Sequence, residues 1–174
     1  MSAGEPVPVA LVDVDETVLD QLVRVATTDA SANEVTPPLT GGNSWNKARV
    51  TWLRNFHRDC RGGLDGPRRE STWAVSSSDG IVGSVRLKRT EAPDVLETGI
   101  WLARSARGRG VGTAAAAAVV ELATTLGATT VRADTTSTNI HALAVLERAG
   151  FSLSRTESSS SVHALLKTRP VTDL

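Results

Sequence analysis

Apolar residues recur along this chain with two different periods, and the changes of period separate helices from strands. A spacing of three and four residues predicts helices, whereas strict alternation predicts strands. The predicted helices cover residues 18–26, 45–60, 111–126 and 139–149, and the predicted strands cover residues 7–14, 72–76, 81–88, 95–102, 129–133, 151–155 and 162–167. The order β-α-α-β-β-β-α-β-α-β-β predicts a single α/β domain with a mixed central sheet, in which a three-strand meander precedes a βαβ crossover.

Turn and cap signals mark the boundaries of these elements. Pro37-Pro38 and Gly41-Gly42 predict an irregular loop over residues 31–43, and Asn43-Ser44 is expected to cap the second helix. We expect residues 1–6 to be a loose leader and residues 7–170 to form the domain. The apolar stripe of the second helix is expected to consist of Trp45, Ala48, Trp52, Phe56 and Cys60.

The composition narrows the class of protein. Of the 174 residues, 19 are basic and 19 are acidic, so the formal net charge is zero. This balance argues against binding to nucleic acid or to an anionic membrane. A single cysteine, Cys60, makes no internal disulfide, and no apolar run reaches the roughly 18 residues of a membrane span. Three scattered histidines and one cysteine form no metal-binding pattern. We therefore expect a cytoplasmic protein without a metal.

A glycine-rich turn carries the clearest chemical signal. It reads Arg107-Gly108-Arg109-Gly110-Val111-Gly112-Thr113 and stands between a predicted strand and the alanine-rich helix. Glycines let the backbone turn tightly and bring its N–H groups close to a ligand. The unpaired N–H groups of a helix's first turn attract anions. With the positive charge of its two arginines and of Arg104, the turn is expected to bind a phosphate or pyrophosphate.

Three phosphate-binding motifs compete for this turn. A P-loop requires a lysine that is absent here, and the dinucleotide motif Gly-x-Gly-x-x-Gly follows a first strand rather than a fourth. The turn does match Arg/Gln-x-x-Gly-x-Gly/Ala, read as Arg107-x-x-Gly110-x-Gly112. Here the sequence resembles the GNAT acyltransferases, in which this motif holds the pyrophosphate of coenzyme A. The resemblance implies acetyl-CoA, or another acyl-CoA, as co-substrate. The residues implied to bind it are Leu102, Ala103, Arg104, Arg107, Gly108, Arg109, Gly110, Val111, Gly112, Thr113 and Asn139.

A second segment, which runs from Asn139 through Ala142 and Leu146 to Gly150-Phe151, resembles the same family. In the family this asparagine contacts the pantetheine arm, a role compatible with capping a helix. The family's tyrosine, which often protonates the departing thiolate, falls at Leu146, and the chain contains no tyrosine. A simple thiol has a pKa near 8.5, so an unprotonated thiolate costs only about 1.4 kcal/mol at pH 7.5. The branch that acetylates ribosomal-protein N-termini is similar in having leucine here, but it has serine where this chain has Ala142. The acid stays unassigned.

An attacking amine is protonated at neutral pH, so a base is needed. Strand alternation places Glu97 and Trp101 on one face of the fourth strand, and apolar residues such as Leu102 on the core face. In the family an acidic residue near this point commonly acts as base, which makes Glu97 the candidate and Asp134 the reserve. The alternative for Glu97 is an ion pair with Arg86 on the neighbouring strand. By resemblance, N–H groups near Leu102, where the fourth and fifth strands splay, stabilise the oxyanion.

The resemblance also implies an acceptor site between the first two helices, their loop and the last hairpin, residues 154–161. The residues expected there are Trp45, His57, Trp101 and Asp134. Four acidic residues are either suited to bind a cationic amine or are solvated charges of the loops. They are Asp29, Glu34, Asp59 and Asp65. We expect direct transfer of an acyl group, with acetyl as the first choice, to the amine of a small molecule. Two alternatives stay open, a non-catalytic acyl-CoA sensor and an enzyme that takes its acyl group from an acyl carrier protein, and the chain is a monomer or a homodimer.

Overall fold

The computed structural model describes residues 7–168, and the expected leader, 1–6, and residues 169–170 lie outside this range. Its strands are β1 (Ala10–Asp13), β2 (Glu70–Ser77), β3 (Gly80–Arg89), β4 (Val95–Leu102), β5 (Thr130–Thr136), β6 (Ser152–Arg155) and β7 (Ser161–Lys167). Its helices are α1 (Glu16–Asp29), α2 (Ala32–Val35), α3 (Lys47–Asp59), α4 (Val111–Thr125) and α5 (Ile140–Arg148). The strands form one sheet in the order β1-β2-β3-β4-β5-β7-β6. The predicted single α/β domain with a mixed sheet is confirmed.

Helices cover both faces of this sheet because its strands bury side chains on both sides. On one face, α4 packs its small residues Ala115, Val119 and Ala123 against Leu96 of β4 and other buried strand residues. The small side chains let the helix lie close to the sheet. On the other face, α1 and α3 enclose a second, smaller cluster. The predicted division of β4 into an apolar core face and a more polar face is confirmed, since Leu96 is buried and Glu97 is half-buried.

The strands β4 and β5 form the parallel pair of the sheet, joined by the crossover helix α4. Their pairing begins at Val95 and Thr130 and ends at Glu97 and Arg132, although β4 continues for five more residues and β5 for four. The two strands therefore diverge toward their carboxyl ends. The splay implied by the resemblance is present, and it opens a cleft in the middle of the sheet.

The second helical region differs from its prediction in two ways. The loop over residues 31–43 contains the short helix α2, and α3 begins at Lys47 with Asn46 as its cap, not Asn43-Ser44. The Asn46 side chain accepts a hydrogen bond from the N–H of Arg49 at 2.9 Å.

The predicted apolar stripe of the second helix is confirmed at Cys60, which is buried, and at Trp45 and Trp52, which pack against the core, but the fully buried face of α3 lies one position away. Arg49, Leu53 and His57 point inward, whereas Ala48 is exposed and Trp52 is only partly buried. A buried arginine and a buried histidine carry no hydrophobic signal, so the pattern of apolar residues pointed to the neighbouring face.

Candidate active site

The diverging strands β4 and β5 border a cavity of about 350 Å³, which we call the β4–β5 cleft. Its walls are the carboxyl-terminal halves of these strands, the start of α4 and one side of α5. A volume of this size lies within the range of small-molecule sites. The cleft ends beside the glycine-rich turn, with Arg107 and Gly112 in its lining.

Backbone donors point into this cleft from β4. The N–H of Ala103 donates to the carbonyl of Val82 on the β3 side at 2.8 Å. Successive N–H groups of a strand point to opposite edges, so those of Ile100 and Leu102 face the edge from which β5 has moved away. The carbonyl of Leu102 faces the same way and accepts a hydrogen bond from Arg107 at 3.1 Å. This edge can hydrogen-bond an extended ligand.

The glycine-rich turn has the backbone that its composition predicts. Gly108 and Gly110 have φ angles of 74° and 83°, a left-handed region that glycine adopts without steric cost. Gly110 opens α4, and no side chain in the described part of the chain caps this helix end. Its first N–H groups are thus available to an anion. A Cβ atom on Gly112 would lie 2.9 Å from Val145 Cγ2, so a side chain there would fill the cleft.

The three arginines around the turn are held by other residues of the chain. Arg104 donates to Ser31 Oγ at 2.7 Å, Arg107 to Glu34 Oε2 at 2.8 Å, and Arg109 to Asp79 Oδ2 at 3.0 Å. The carboxylates partly neutralise the charges of Arg107 and Arg109, whereas the hydroxyl of Ser31 leaves the charge of Arg104 in place. The backbone N–H groups of the turn therefore carry most of its capacity to bind an anion.

The helix α5 lines the opposite wall of the cleft. Asn139 caps it by accepting a hydrogen bond from the N–H of Ala142 at 3.1 Å, and both residues line the cleft. Leu146, at the position of the family's tyrosine, is buried in the same wall. His141 also lines the cleft, and burial, followed by the nearby Arg107, lowers its pKa.

A second cavity, of about 430 Å³, lies on the other face of the sheet beneath α3, and we call it the α3 cavity. Its apolar wall contains Trp52 and Phe56, whose rings stack with centroids 4.9 Å apart. Its polar wall consists of strand residues of β2 and β3, including Glu70 and Arg86. Trp52 also packs against the α1–α3 core, as the sequence predicted, so it belongs to both the core and this wall.

The β4–β5 cleft and the α3 cavity meet at four residues that line both. They are Glu34, Gly99, Ile100 and Trp101. Three of them belong to β4, so this strand separates the two spaces and touches a ligand in either. Glu34 is the carboxylate at this junction. Although burial raises the pKa of Glu34, its hydrogen bond with Arg107 leaves that pKa below its ordinary value. Its Oε2 takes the bond, while Oε1 has no partner among the hydrogen bonds of residues 7–168.

Glu97, the predicted base, lies in the lining of neither cavity. Its two carboxylate oxygens bind Arg86 Nη2 at 2.8 Å and Arg132 Nη2 at 3.0 Å. Burial opposes ionisation of Glu97, but the two guanidinium groups outweigh burial and lower its pKa. The ion pair with Arg86, the alternative interpretation, is present. The catalytic role of Glu97 stays a prediction.

His57, predicted at the acceptor site, lines the α3 cavity and is 2% exposed. Its Nδ1 lies 2.8 Å from Thr72 Oγ1, and its Nε2 has no partner among the described residues. Burial, with a smaller effect of Arg61, lowers the pKa of His57 to about 4, so the ring is neutral at pH 7. Cys60 is also buried, and burial, followed by Glu70, raises the pKa of its thiol to about 11. A thiol that stays protonated is a poor nucleophile.

The remaining predicted acceptor residues are divided between the two spaces. Trp101 lines both, and Asp134 lines the cleft with its Oδ1 2.7 Å from His163 Nδ1. Trp45 lines neither, because its indole N–H donates to the carbonyl of Ala30 at 2.9 Å and its ring packs against the α1–α3 core. The last hairpin, 154–161, lines neither cavity.

Of the four acidic residues considered for a cationic acceptor, Glu34 alone lines either cavity. Asp29 accepts hydrogen bonds from the backbone N–H and hydroxyl of Ser105, and Asp65 pairs with Arg89. Asp59 is exposed. Sequence analysis therefore missed His141 as a member of the site, although its position two residues after Asn139 was an available signal. It named Glu34 among the acidic candidates but could not separate it from the other three, because α2 was taken for a loop.

Comparison with known proteins gives a family and a fold. The family model described as "Acetyltransferase (GNAT) domain" matches residues 10–152. A search of curated proteins finds no match. No helix within residues 7–168 is both long and apolar enough to cross a membrane.

Solved structures with the same fold include several acetyltransferases. The GNAT domain of S. lividans PAT has 17% identity and a TM-score of 0.68, with 92% of this chain and 89% of that chain covered. Aminoglycoside acetyltransferase AAC(6')-Ib in complex with coenzyme A and kanamycin has 17% identity and a TM-score of 0.68, with 92% and 95% covered. Spermidine N-acetyltransferase from Vibrio cholerae, in complex with coenzyme A and spermine, has 14% identity and a TM-score of 0.66, with 91% and 95% covered. At these identities the likeness concerns the fold.

Proposed function

The chain belongs to the GNAT acetyltransferase domain family, and from that premise we propose that it transfers an acetyl group from acetyl-CoA to the amine of a small molecule. The transfer is direct, with both substrates bound at once. A single acyltransferase domain over residues 7–170 and a cytoplasmic location belong to the same proposal.

The observation that carries this proposal is the junction of the two cavities. A ligand in the β4–β5 cleft and a ligand in the α3 cavity touch the same short segment of β4, residues 99–101. Two reactants that are bound against the same wall are held close together. Because both are already bound, the reaction avoids much of the entropy cost of bringing two free molecules together. A binding module for one acyl-CoA has no need for a second cavity at this point.

The cleft suits the coenzyme A portion of the donor. The uncapped start of α4 and the left-handed Gly110 supply N–H groups for the pyrophosphate, and Gly112 leaves room beside Val145. Asn139 and the free edge of β4 line the path of the pantetheine arm. Coenzyme A is bound in the structures of AAC(6')-Ib and of the Vibrio cholerae spermidine N-acetyltransferase, which share this fold.

The residues at the junction fit attack by an amine on a thioester carbonyl. The N–H groups of Ile100 and Leu102 are placed to stabilise the negative charge that develops on the carbonyl oxygen. As the C–N bond forms and the C–S bond breaks, the amine loses a proton, and Glu34 Oε1 is an unengaged carboxylate oxygen at the junction that can accept it. Cys60 is buried and protonated, which supports direct transfer rather than an acyl-cysteine.

No side chain of the cleft is an evident acid for the departing thiolate. Leu146 occupies the position of the family's tyrosine, and the lowered pKa of His141 disfavours its protonated form. Because a simple thiol has a pKa near 8.5, departure as an unprotonated thiolate costs only about 1.4 kcal/mol at pH 7.5, and solvent then protonates the thiolate. Leu146 also supports placing the chain near the branch that acetylates ribosomal-protein N-termini, which we keep as part of the proposal.

The proposal is tested by measuring thiol release from acetyl-CoA across a panel of amines, together with two matched glycine variants. Gly110 and Gly127 stand at opposite ends of α4 with φ angles of 83° and 97°, so alanine strains the backbone at both. Gly110→Ala should also raise the KM for acetyl-CoA by about tenfold or more, because it displaces the N–H groups that bind phosphate. Gly127→Ala should not. Equal KM values for acetyl-CoA in the two variants would show that acetyl-CoA does not bind at the start of α4. Thiol release at the same rate with and without an amine would exclude a transferase.

A further inference from the structure

The α3 cavity carries an excess of positive charge. Its lining holds three cationic side chains, Arg68, Arg86 and Lys88, against two carboxylates, Glu34 and Glu70. Glu34 is paired with Arg107, which lies outside this cavity. The cavity wall therefore attracts an anion, although the chain as a whole has no net charge.

Lys88 is the cation of this wall that has no carboxylate partner. It lies opposite Glu70 on β2 and opposite Glu97 on β4 in the sheet register. Both carboxylates are engaged by arginines: Glu70 by Arg68 and Arg86, and Glu97 by Arg86 and Arg132. Lys88 forms no ion pair with any carboxylate of residues 7–168, and its side chain is exposed at the cavity.

Arg68 stands beside Lys88 as a second, weakly paired cation. Its contact with Glu70 measures 3.4 Å, and 41% of its side chain is exposed. Its guanidinium lies over the ring of Phe56, 5.1 Å from the centroid, and that ring stacks on Trp52. The Arg68 guanidinium is thus held against an aromatic wall, and N–H groups of this guanidinium can still bind a carboxylate or a phosphate.

His57 lines the same cavity as a neutral side chain. The residue is 2% exposed, and its Nε2 is a buried polar atom that solvent does not reach. The ring therefore adds no charge to the wall, and the positive charge of the cavity comes from Arg68, Arg86 and Lys88.

We infer that the acceptor is an amine that also carries an anionic group, and that Lys88 and Arg68 bind this group while the amine reaches the junction with the β4–β5 cleft. The inference rests on the proposed function, since it names the class of acceptor for that transfer. Arg86 faces Gly99 at the junction, and Lys88 lies two residues farther along β3, a distance of about 6.6 Å. The amine and the anionic group are therefore separated by several bonds. An α-amino acid does not meet this requirement, because its amine and its carboxylate are too close to each other to reach the junction and Lys88 at once.

Four acceptors of similar length test this assignment. They are 6-aminohexanoate, 6-aminohexyl phosphate, hexylamine and 1,6-diaminohexane, which differ in the charge of one end. We expect kcat/KM to be about tenfold higher for at least one of the two anionic acceptors than for hexylamine, equivalent to about 1.4 kcal/mol, and lowest for the diamine. The better of the two identifies the anion as carboxylate or phosphate. A preference for the diamine, or equal values for all four, overturns the inference and leaves the acetyltransferase standing.

Two lysine variants locate the subsite. In Lys88→Gln, the ratio of kcat/KM for the better anionic acceptor to that for hexylamine should fall about tenfold. In Lys47→Gln, which changes an exposed lysine that lines neither cavity, the ratio should stay as in the wild type. An unchanged ratio in Lys88→Gln overturns the assignment.

Binding measured without turnover separates this inference from the proposed function. With coenzyme A present, calorimetry should show tighter binding of the better anionic acceptor than of 1,6-diaminohexane, and Lys88→Glu should reverse this order. That result, combined with no thiol release from acetyl-CoA, would reject the acetyltransferase and keep the anion subsite. Equal binding, no binding, or tighter binding of the diamine to the wild type overturns the inference.

Discussion

At the scale of the residue, pairing and burial decide which ionisable groups are available for chemistry. Glu97 has the residue type and strand position expected of a base, but two arginines occupy its oxygens. Glu34 has one oxygen without a partner and lies where the two cavities meet. Position on a strand is encoded by the sequence, whereas the partner of a side chain depends on which distant residues the fold brings together. This is why the sequence singled out Glu97 as the base and could not separate Glu34 from the other acidic residues of the loops.

Substitution of these two carboxylates by glutamine distinguishes their roles. If Glu34 takes the proton of the amine, Glu34→Gln should lower kcat about 100-fold while changing the KM for acetyl-CoA little, because glutamine preserves the hydrogen bond with Arg107. Glu97→Gln should keep most of the turnover and lose part of the stability from its two ion pairs. Steady-state kinetics with acetyl-CoA and a good acceptor measures both. The opposite result, with activity lost only in Glu97→Gln, would support the role predicted from the sequence.

His57 makes the stability of the protein depend on pH. Its pKa is lowered to about 4 by burial and by Arg61, whereas an unfolded histidine titrates near 6.5. Between these values the unfolded state binds more protons than the folded state, so the free energy of unfolding rises with pH from about 4 to 6.5 and then levels off. The full difference is on the order of 3 kcal/mol.

Urea unfolding at several pH values between 5 and 7.5 checks this dependence. His57→Gln should lose most of the slope below pH 6.5. His163→Gln, which replaces a histidine with 54% of its side chain exposed, should retain it. Burial lowers the pKa of His141 as well, so the comparison between variants carries the test. A wild-type slope that survives in His57→Gln would show that His57 is not the group responsible.

At the scale of the element, regular periodicity is what made most of the fold predictable. The helix α4 was recognised at its correct position because its apolar residues repeat over four turns, and the strands β2 to β4 because each contains a run of alternating residues. The helix α2 has four residues and therefore too few positions to show a period. In α3, two buried polar residues, Arg49 and His57, concealed the true inward face.

Arg49 is the residue that fixes α2 and its loop onto α3. It is 0% exposed, and its guanidinium donates to Thr36 Oγ1 at 2.8 Å, Asn33 Oδ1 at 2.9 Å and the carbonyl of Gly42 at 2.8 Å. All three acceptors belong to the segment that carries Glu34. The position of the junction carboxylate therefore depends on this buried side chain of the next helix, together with the direct contact from Arg107.

Replacing Arg49 should reduce both stability and activity. Arg49→Met leaves three acceptors without their donor, and we expect it to lower the free energy of unfolding by about 3 kcal/mol. Because it loosens the segment around Glu34, kcat/KM for the acceptor should also fall. Arg54→Met, on the same helix, removes a surface ion pair with Asp20 and should cost less than about 1 kcal/mol. Chemical unfolding and kinetics of both variants measure this difference, and equal losses would refute the anchoring role.

At the scale of the whole molecule, three contacts join the α1–α2 corner to the start of the glycine-rich turn. Asp29 binds Ser105, Ser31 binds Arg104, and Glu34 binds Arg107. The pairs are more than 70 residues apart in sequence. No local sequence pattern predicts these contacts, and only the structure reveals them. They connect the segment that lines the α3 cavity to the segment expected to bind pyrophosphate.

This connection predicts that a ligand bound at the glycine-rich turn also orders the α1–α2 corner. Adding coenzyme A should slow amide hydrogen exchange over residues 29–32, which do not line the cleft, as well as over residues 107–113, because ordering the turn orders its partners. Residues 152–168, in the last two strands, serve as the control, since they line neither cavity and should exchange as before. Exchange measured by mass spectrometry with and without coenzyme A gives the answer. Protection confined to the turn would show that the three contacts do not couple the order of the turn to the order of the α1–α2 corner.

The divergence of β4 from β5 leaves one edge of β4 without a strand partner beyond Glu97. An extended chain that carries amides can pair with this edge through the backbone of Ile100 and Leu102, as an added strand would. We expect compounds with two amides at the spacing of a peptide to bind the cleft without any phosphate. A short extended peptide mimic offers a starting point for inhibitors that compete with the donor without carrying its charge.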